Sequence, residues 1–228
     1  MLTSVVKPNL AVGIGAIIVS VFLAGAAVVQ VRSAFLEAWA LERGGNIPPE
    51  ADMLADYEAG VSGNGYSAAA FGRYFTDIFS LSTAIGQRVT ALGFAVASFE
   101  TAVKHAPHDS LNWARLALSE YALSPQSDRW IAFVSLSYLL GSQELASFTV
   151  RSQLVLENWD RMPASLQSAA KREFRLVAER RNPLTLIRYI EGLKSEKARN
   201  QGEQLLRETV GSGKIERARK KYRSLMSQ

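Results

Sequence analysis

The chain has no cysteine, only two histidines and no sustained polar–apolar alternation. Without cysteine there is no disulfide, no thiolate nucleophile and no sulfur ligand for a metal. His105 and His108 flank Pro107, which puts them on a turn. Alone they fall short of a zinc ligand set, which needs three or four donors around one point. No serine sits in a G-x-S-x-G elbow. The segment GSGKIE at 211–216 lacks the first glycine, the trailing Ser/Thr and the preceding strand of a phosphate loop, so it reads as a break between helices. The carboxylates do not converge either. Asp52, Asp56 and Glu58 lie in a turn-rich stretch, while Glu173 and Glu179 sit among arginines and read as surface ion pairs. The chain is therefore read as non-catalytic, with no cofactor and no metal site.

What is present is ordinary globular material with one exception. The 228 residues are 48% hydrophobic and 21% charged, enough to bury a core. The net charge of +5 is unevenly placed: residues 1–163 carry 10 Lys/Arg against 14 Asp/Glu, and residues 164–228 carry 16 against 7. A basic terminal segment suits an acidic partner, an anionic lipid surface, an acidic polysaccharide or nucleic acid. The tail KIERARKKYR at 214–223 has a single aromatic, Tyr222, and no recognisable nucleic-acid module. Lys214, Arg217, Arg219, Lys220, Lys221 and Arg223 are its candidate contacts to an anionic partner, against the plainer reading of a solvated charged helix.

Residues 10–29 form an uncharged run of twenty. As a helix it would be about 30 Å long, the thickness of a bilayer hydrocarbon core. Gly13, Gly15 and Gly25 would weaken a soluble helix but are common in membrane spans. A cleavable signal is the competing reading, with Ala24-Gly25-Ala26 as its cleavage site. The run exceeds the roughly 7–15 apolar residues of such signals, which favours an uncleaved, single-pass anchor. Lys7 before it and Arg32 after it give no strong positive-inside bias. A short N-terminal tail suits a signal anchor with the larger domain exported, the orientation favoured here, whereas the basic C-terminal tail would suit the anionic cytoplasmic leaflet.

Beyond the anchor the periodicity is helical. The stretch 33–42 continues the anchor pattern, so 1–43 is the anchor with its extension. Two glycines and two prolines in GGNIPPEAD then make 44–66 a turn-rich linker. From 67 onward apolar residues recur at three- and four-residue spacing. Breakers at Pro107, Pro125, Gly141, Pro163, Pro183 and Gly211/Gly213 predict helices at 67–84, 87–105, 110–123, 127–140, 143–159, 163–181, 183–200 and 212–226. The fold class is all-α, with an N-terminal transmembrane helix before an antiparallel helical-hairpin array. The array occupies 67–182, and 183–228 forms a basic helical C-terminal segment.

Ala95, Phe99, Ala102 and Pro107 are spaced by four, three and five residues, and Trp113 and Leu116 follow, with the small Ala117 beside Leu116. This pattern resembles the second helix, closing proline and following first helix of a tetratricopeptide repeat. Phe133 lies 34 residues after Phe99, and Gly141 lies 34 after Pro107. Arg129 and Leu136 depart from the pattern where small residues belong; one register earlier, Phe79 and Ser82 stand in the tryptophan and leucine places. The order of a repeat, Gly141 with Glu144, Trp159 before Met162-Pro163, and a basic amphipathic helix at 166–177 is similar to small membrane-anchored repeat proteins of bacterial exopolysaccharide loci. The resemblance implies a cell-envelope context and supplies no active-site residues. Together with the anchor, its favoured orientation and the helical hairpins, it leads to an inner-membrane adaptor whose periplasmic domain docks a protein partner, in polysaccharide synthesis or export. Two other readings stand beside it. One is an accessory subunit held in a membrane complex through its anchor, and the other is a module that binds anionic surfaces through its C-terminal tail.

Overall fold

The computed structural model describes residues 48, 50–61, 64–142, 144–181 and 183–226. The side chains of residues 50, 51, 59, 145, 221–223, 225 and 226 lie outside that description. Among the described residues the chain is all-α, with ten helices and no strand. None of these helices is long and apolar enough to cross a membrane. The predicted anchor at 10–29 and its extension to 43 lie outside the described residues.

The helices are α1 Glu50–Val61, α2 Gly65–Leu81, α3 Ile85–His105, α4 Ser110–Leu123, α5 Arg129–Gly141, α6 Leu145–Glu157, α7 Ala164–Arg180, α8 Pro183–Glu191, α9 Glu196–Val210 and α10 Ser212–Met226. A single 3₁₀ turn, Trp159–Arg161, leads into α7. Several starts are set by side chains that accept otherwise unpaired backbone N–H groups. The Asn64 carboxamide oxygen caps α2 through Tyr66 N and Ser67 N, and the Asp109 carboxylate caps α4 through Leu111 N and Asn112 N. The Ser195 hydroxyl accepts from Ala198 N at the start of α9.

Neighbouring helices pack through three successive apolar clusters. The first joins α1 to α4 through Met53, Phe71, Phe75, Ala95, Phe99 and Leu116. The second joins α4 to α7 through Ala117, Trp130, Val134, Leu154, Leu166 and Ala170. The third joins α6 to α10 through Phe148, Phe174, Leu186, Ile190, Leu206 and Ile215. The pairs α2–α3 and α4–α5 share the most extensive contacts, and α3 also packs on α4.

Three expectations change. The stretch 44–66, expected as a turn-rich linker, is helical over Glu50–Val61. That helix belongs to the core because Met53 is buried and the Asp56 carboxylate, also buried, accepts a 2.9 Å hydrogen bond from the Tyr74 hydroxyl. Gly60 permits the approach, since a Cβ there would lie 2.3 Å from Phe71 Cγ. The predicted helix 183–200 is two helices. Arg199 Nη1 donates to the carbonyls of Leu193 and Lys194, and this bend brings Gly202 against Ile190. The segment 183–228 consequently shares a core with α6 and α7 through Leu186, Ile187, Leu205 and Leu206. Lastly, Glu173 is no surface ion-pair partner but is buried on the same stripe of α7 as Leu166, Ala170, Phe174 and Val177.

Candidate functional site

A groove opens between α2 and α4 because the two helices make little direct contact and both rest on α3. Phe99 of α3 floors it. Gly72 lets this happen: a Cβ at that position would lie 2.7 Å from the Phe99 ring, so only hydrogen allows α2 to settle on it. Arg73, Thr76 and Asp77 come from the turn of α2 above Phe99, Arg115, Leu118 and Ser119 from α4, and Val150 from α6. The groove holds about 350 Å³.

Its chemistry is cationic on an apolar bed. Arg115 is half-buried and makes neither an ion pair nor a side-chain hydrogen bond among the described residues. Burial lowers its pKa, the like charge of Arg73 lowers it further, and Asp109 acts the other way. On the rim, burial raises the Asp77 pKa while Arg73 opposes that shift. A partly desolvated guanidinium without a contact ion pair has lost part of its hydration and received only the longer-range attraction of Asp109 in return. A carboxylate entering the groove would supply that pairing, in the fork geometry that suits arginine.

Beside the groove, a buried polar network ties α4, α5, α6 and α7 together. Arg151 is fully buried. Its Nη1 donates to the carbonyls of Ser137 and Gly141, both at 2.9 Å, and its Nη2 donates to the Glu144 carbonyl and to Glu173 Oε1. The guanidinium lies 4.7 Å from the centre of the Tyr138 ring. Ser110 Oγ bonds Glu144 Oε2 and lies 2.7 Å from Ser147 Oγ, and Ser137 Oγ donates to the Ser110 carbonyl. Burial raises the Glu173 pKa, countered by the charge and hydrogen bond of Arg151. Burial also raises that of Tyr138, helped by the neighbouring Glu173 charge. Every polar group of the Arg151 guanidinium except Nε has a protein partner, so the network is a structural joint between helix ends.

Of the repeat-pattern residues, Phe99 lines the groove and the others lie outside its lining. Ala95, Phe99 and Ala102 are buried along α3, and Leu116 is buried on α4. Pro107 is exposed in the α3–α4 turn, where its carbonyl accepts a 2.8 Å hydrogen bond from Trp113 Nε1. Trp113 and Phe133 are half-buried and touch with ring centres 5.9 Å apart. The face that α5 buries is Trp130, Val134, Ser137, Tyr138 and Gly141. That is one residue on from Arg129, Phe133 and Leu136, the positions a strict 34-residue phase selects. Phe79 and Ser82 likewise fall at the last turn and C-cap of α2. The α2–α3 pair is longer than a 34-residue unit allows, so the packing partner of Phe99 is Gly72.

His105 and His108 are both exposed, and His105 packs its Cβ against Gly65 at the start of α2. No three His, Cys, Asp or Glu side chains among the described residues gather to hold a metal ion. Among the tail residues, Lys214, Arg217 and Lys220 are exposed on α10, whereas Arg219 is paired with Glu203 of α9. Lys221 and Arg223 belong to α10, with side chains outside the described set. Sequence reasoning missed Gly72, Arg73, Arg115 and Arg151; nothing in their spacing marks them, because each owes its role to a helix far away in sequence. No protein-family model, curated protein or solved structure matches the chain.

Proposed function

We propose that the chain is a non-catalytic, membrane-anchored adaptor, built as a tetratricopeptide-like array, whose α2–α4 groove holds a carboxylate-bearing segment of a protein partner. The context we propose is cell-envelope polysaccharide synthesis or export at the bacterial inner membrane, with the helical domain in the periplasm. One observation carries the binding site: a half-buried Arg115 that makes no ion pair or side-chain hydrogen bond among the described residues, beside Arg73, over the Phe99 floor. Leu118 and Val150 add apolar contact, and Thr76 and Ser119 add hydroxyls that can bond a peptide backbone. Helix arrays bind extended or helical segments in such concavities without catalytic groups.

Affinity capture of the full chain from gently solubilised membranes, compared with an Arg115→Glu variant, tests this. The adaptor reading expects a specific envelope protein to co-purify with the native chain and to be lost with Arg115→Glu. The Arg115→Lys variant keeps the charge but loses the planar fork, so it should retain partial capture. Equal capture by native chain and Arg115→Glu sinks the groove. If capture then disappears on deletion of residues 8–31, the partner is held by the anchor and the chain is an accessory subunit of a membrane complex.

A further inference from the structure

The helix α10 contains six basic residues and one acidic residue, Glu216. It does not hang free. Ile215 is buried in the third apolar cluster, and Arg219 pairs with Glu203 of α9, so both pin one face of α10 to the domain. The opposite face turns Lys214, Arg217 and Lys220 to solvent. None of the three has an ion pair or side-chain hydrogen bond among the described residues. At 1.5 Å per residue these positions, three apart, form a stripe roughly 9 Å long. Glu216 is the one acidic residue exposed on the same helix.

From this arrangement we infer that the solvent face of α10 is a docking surface for an anionic phospholipid leaflet. The occupant is set by charge. Three unpaired cations on a rigid, convex helix face match a plane of phosphodiester headgroups, which needs no groove and no base-stacking aromatic. A polynucleotide site would call for stacking rings or a groove-reading element along the stripe, and no aromatic ring shares the exposed face of Lys214, Arg217 and Lys220 among the described side chains. Arg219 is not part of the surface, because Glu203 neutralises it. The role of this face is to orient the domain on a membrane, and it stands apart from the α2–α4 groove: loss of one leaves the other intact.

The test uses the full chain held in lipid discs of neutral phosphatidylcholine and titrated with separate vesicles, with co-flotation as the readout. Vesicles of mixed phosphatidylglycerol and phosphatidylcholine should bind, pure phosphatidylcholine vesicles should not, and added salt should release the bound chain. At about fivefold per residue, simultaneous Lys214→Glu, Arg217→Glu and Lys220→Glu should weaken binding on the order of a hundredfold. A matched reversal of the exposed Arg172, Arg175 and Lys194 changes net charge equally and should cost far less. Melting midpoints close to that of the native chain confirm that both triple variants fold, as expected for exposed positions. The inference is overturned if both triple variants lose binding equally, if neutral and anionic vesicles bind alike, or if the chain binds a DNA duplex or an acidic polysaccharide but no vesicle.

Discussion

Replacing Arg151 with methionine removes a buried cation while keeping most of its volume, so the result isolates the polar network from packing. In the native chain the guanidinium serves five acceptors: the carbonyls of Ser137, Gly141 and Glu144, the Ser137 hydroxyl and the Glu173 carboxylate. Methionine leaves Glu173 buried beside Tyr138 without a counter-charge. Breaking one side of a buried pair costs about 3–5 kcal/mol, and the orphaned carbonyls keep the value toward the upper end. For a chain of this size each kcal/mol moves the midpoint by roughly 2–4 °C, so the expected drop is about 6–20 °C. Thermal unfolding followed by circular dichroism at 222 nm reads it directly. A second arm, Arg151→Met with Glu173→Met, removes both charges and should recover part of the loss, because the pair is coupled by roughly 0.5–3 kcal/mol. A single variant within about 1 kcal/mol of native stability, or a double variant no better than the single, refutes the reasoning.

Gly72→Ala forces a Cβ against the Phe99 ring at 2.7 Å and should cost about 1–3 kcal/mol by denaturant titration, whereas Ala at the open Gly93 should stabilise or be neutral. Trp113→Phe keeps the ring contact with Phe133 but loses the hydrogen bond to the Pro107 carbonyl. A loss of about 1 kcal/mol is expected, seen as a lower unfolding midpoint. Glu173 has a pKa raised by burial, so between the ordinary carboxylate value and its own raised value the native state binds a proton that the unfolded chain does not. Stability from this group is therefore greatest toward the acid end of that window and falls as pH rises through the raised value; Glu173→Gln should flatten the slope in unfolding curves taken across it.

Helix placement was largely legible without coordinates. The 3.6-residue periodicity, the breakers and the caps locate α3, α4 and α10 closely, because each depends on residues adjacent in the chain. Reading 44–66 as linker failed for an instructive reason: its glycines and prolines cluster at the ends, while Met53, Asp56 and Gly60 mark a helix only once Phe71 and Tyr74 are known to face them. The 34-residue phase located Phe133 on the right helix, half-buried against the first two apolar clusters, one residue before the fully buried Val134. A shift of one residue turns a helix by about 100°, and whether Phe133 or Val134 is the fully buried residue is decided by the neighbouring helices rather than by spacing.

By itself the sequence determined that this protein is helical, without cysteine chemistry, with a twenty-residue apolar run near its start and its positive charge gathered at its end. Those properties follow from local propensity and composition, which act over a few turns. Only the tertiary structure decided which charges matter. Arg151, Arg219 and Arg115 read alike in the chain, yet one is buried among helix-end carbonyls, one is neutralised by Glu203, and one lines a groove with no ion pair among the described residues. The cost of a charge depends on the water and partners left around it, and those are supplied by helices distant in sequence.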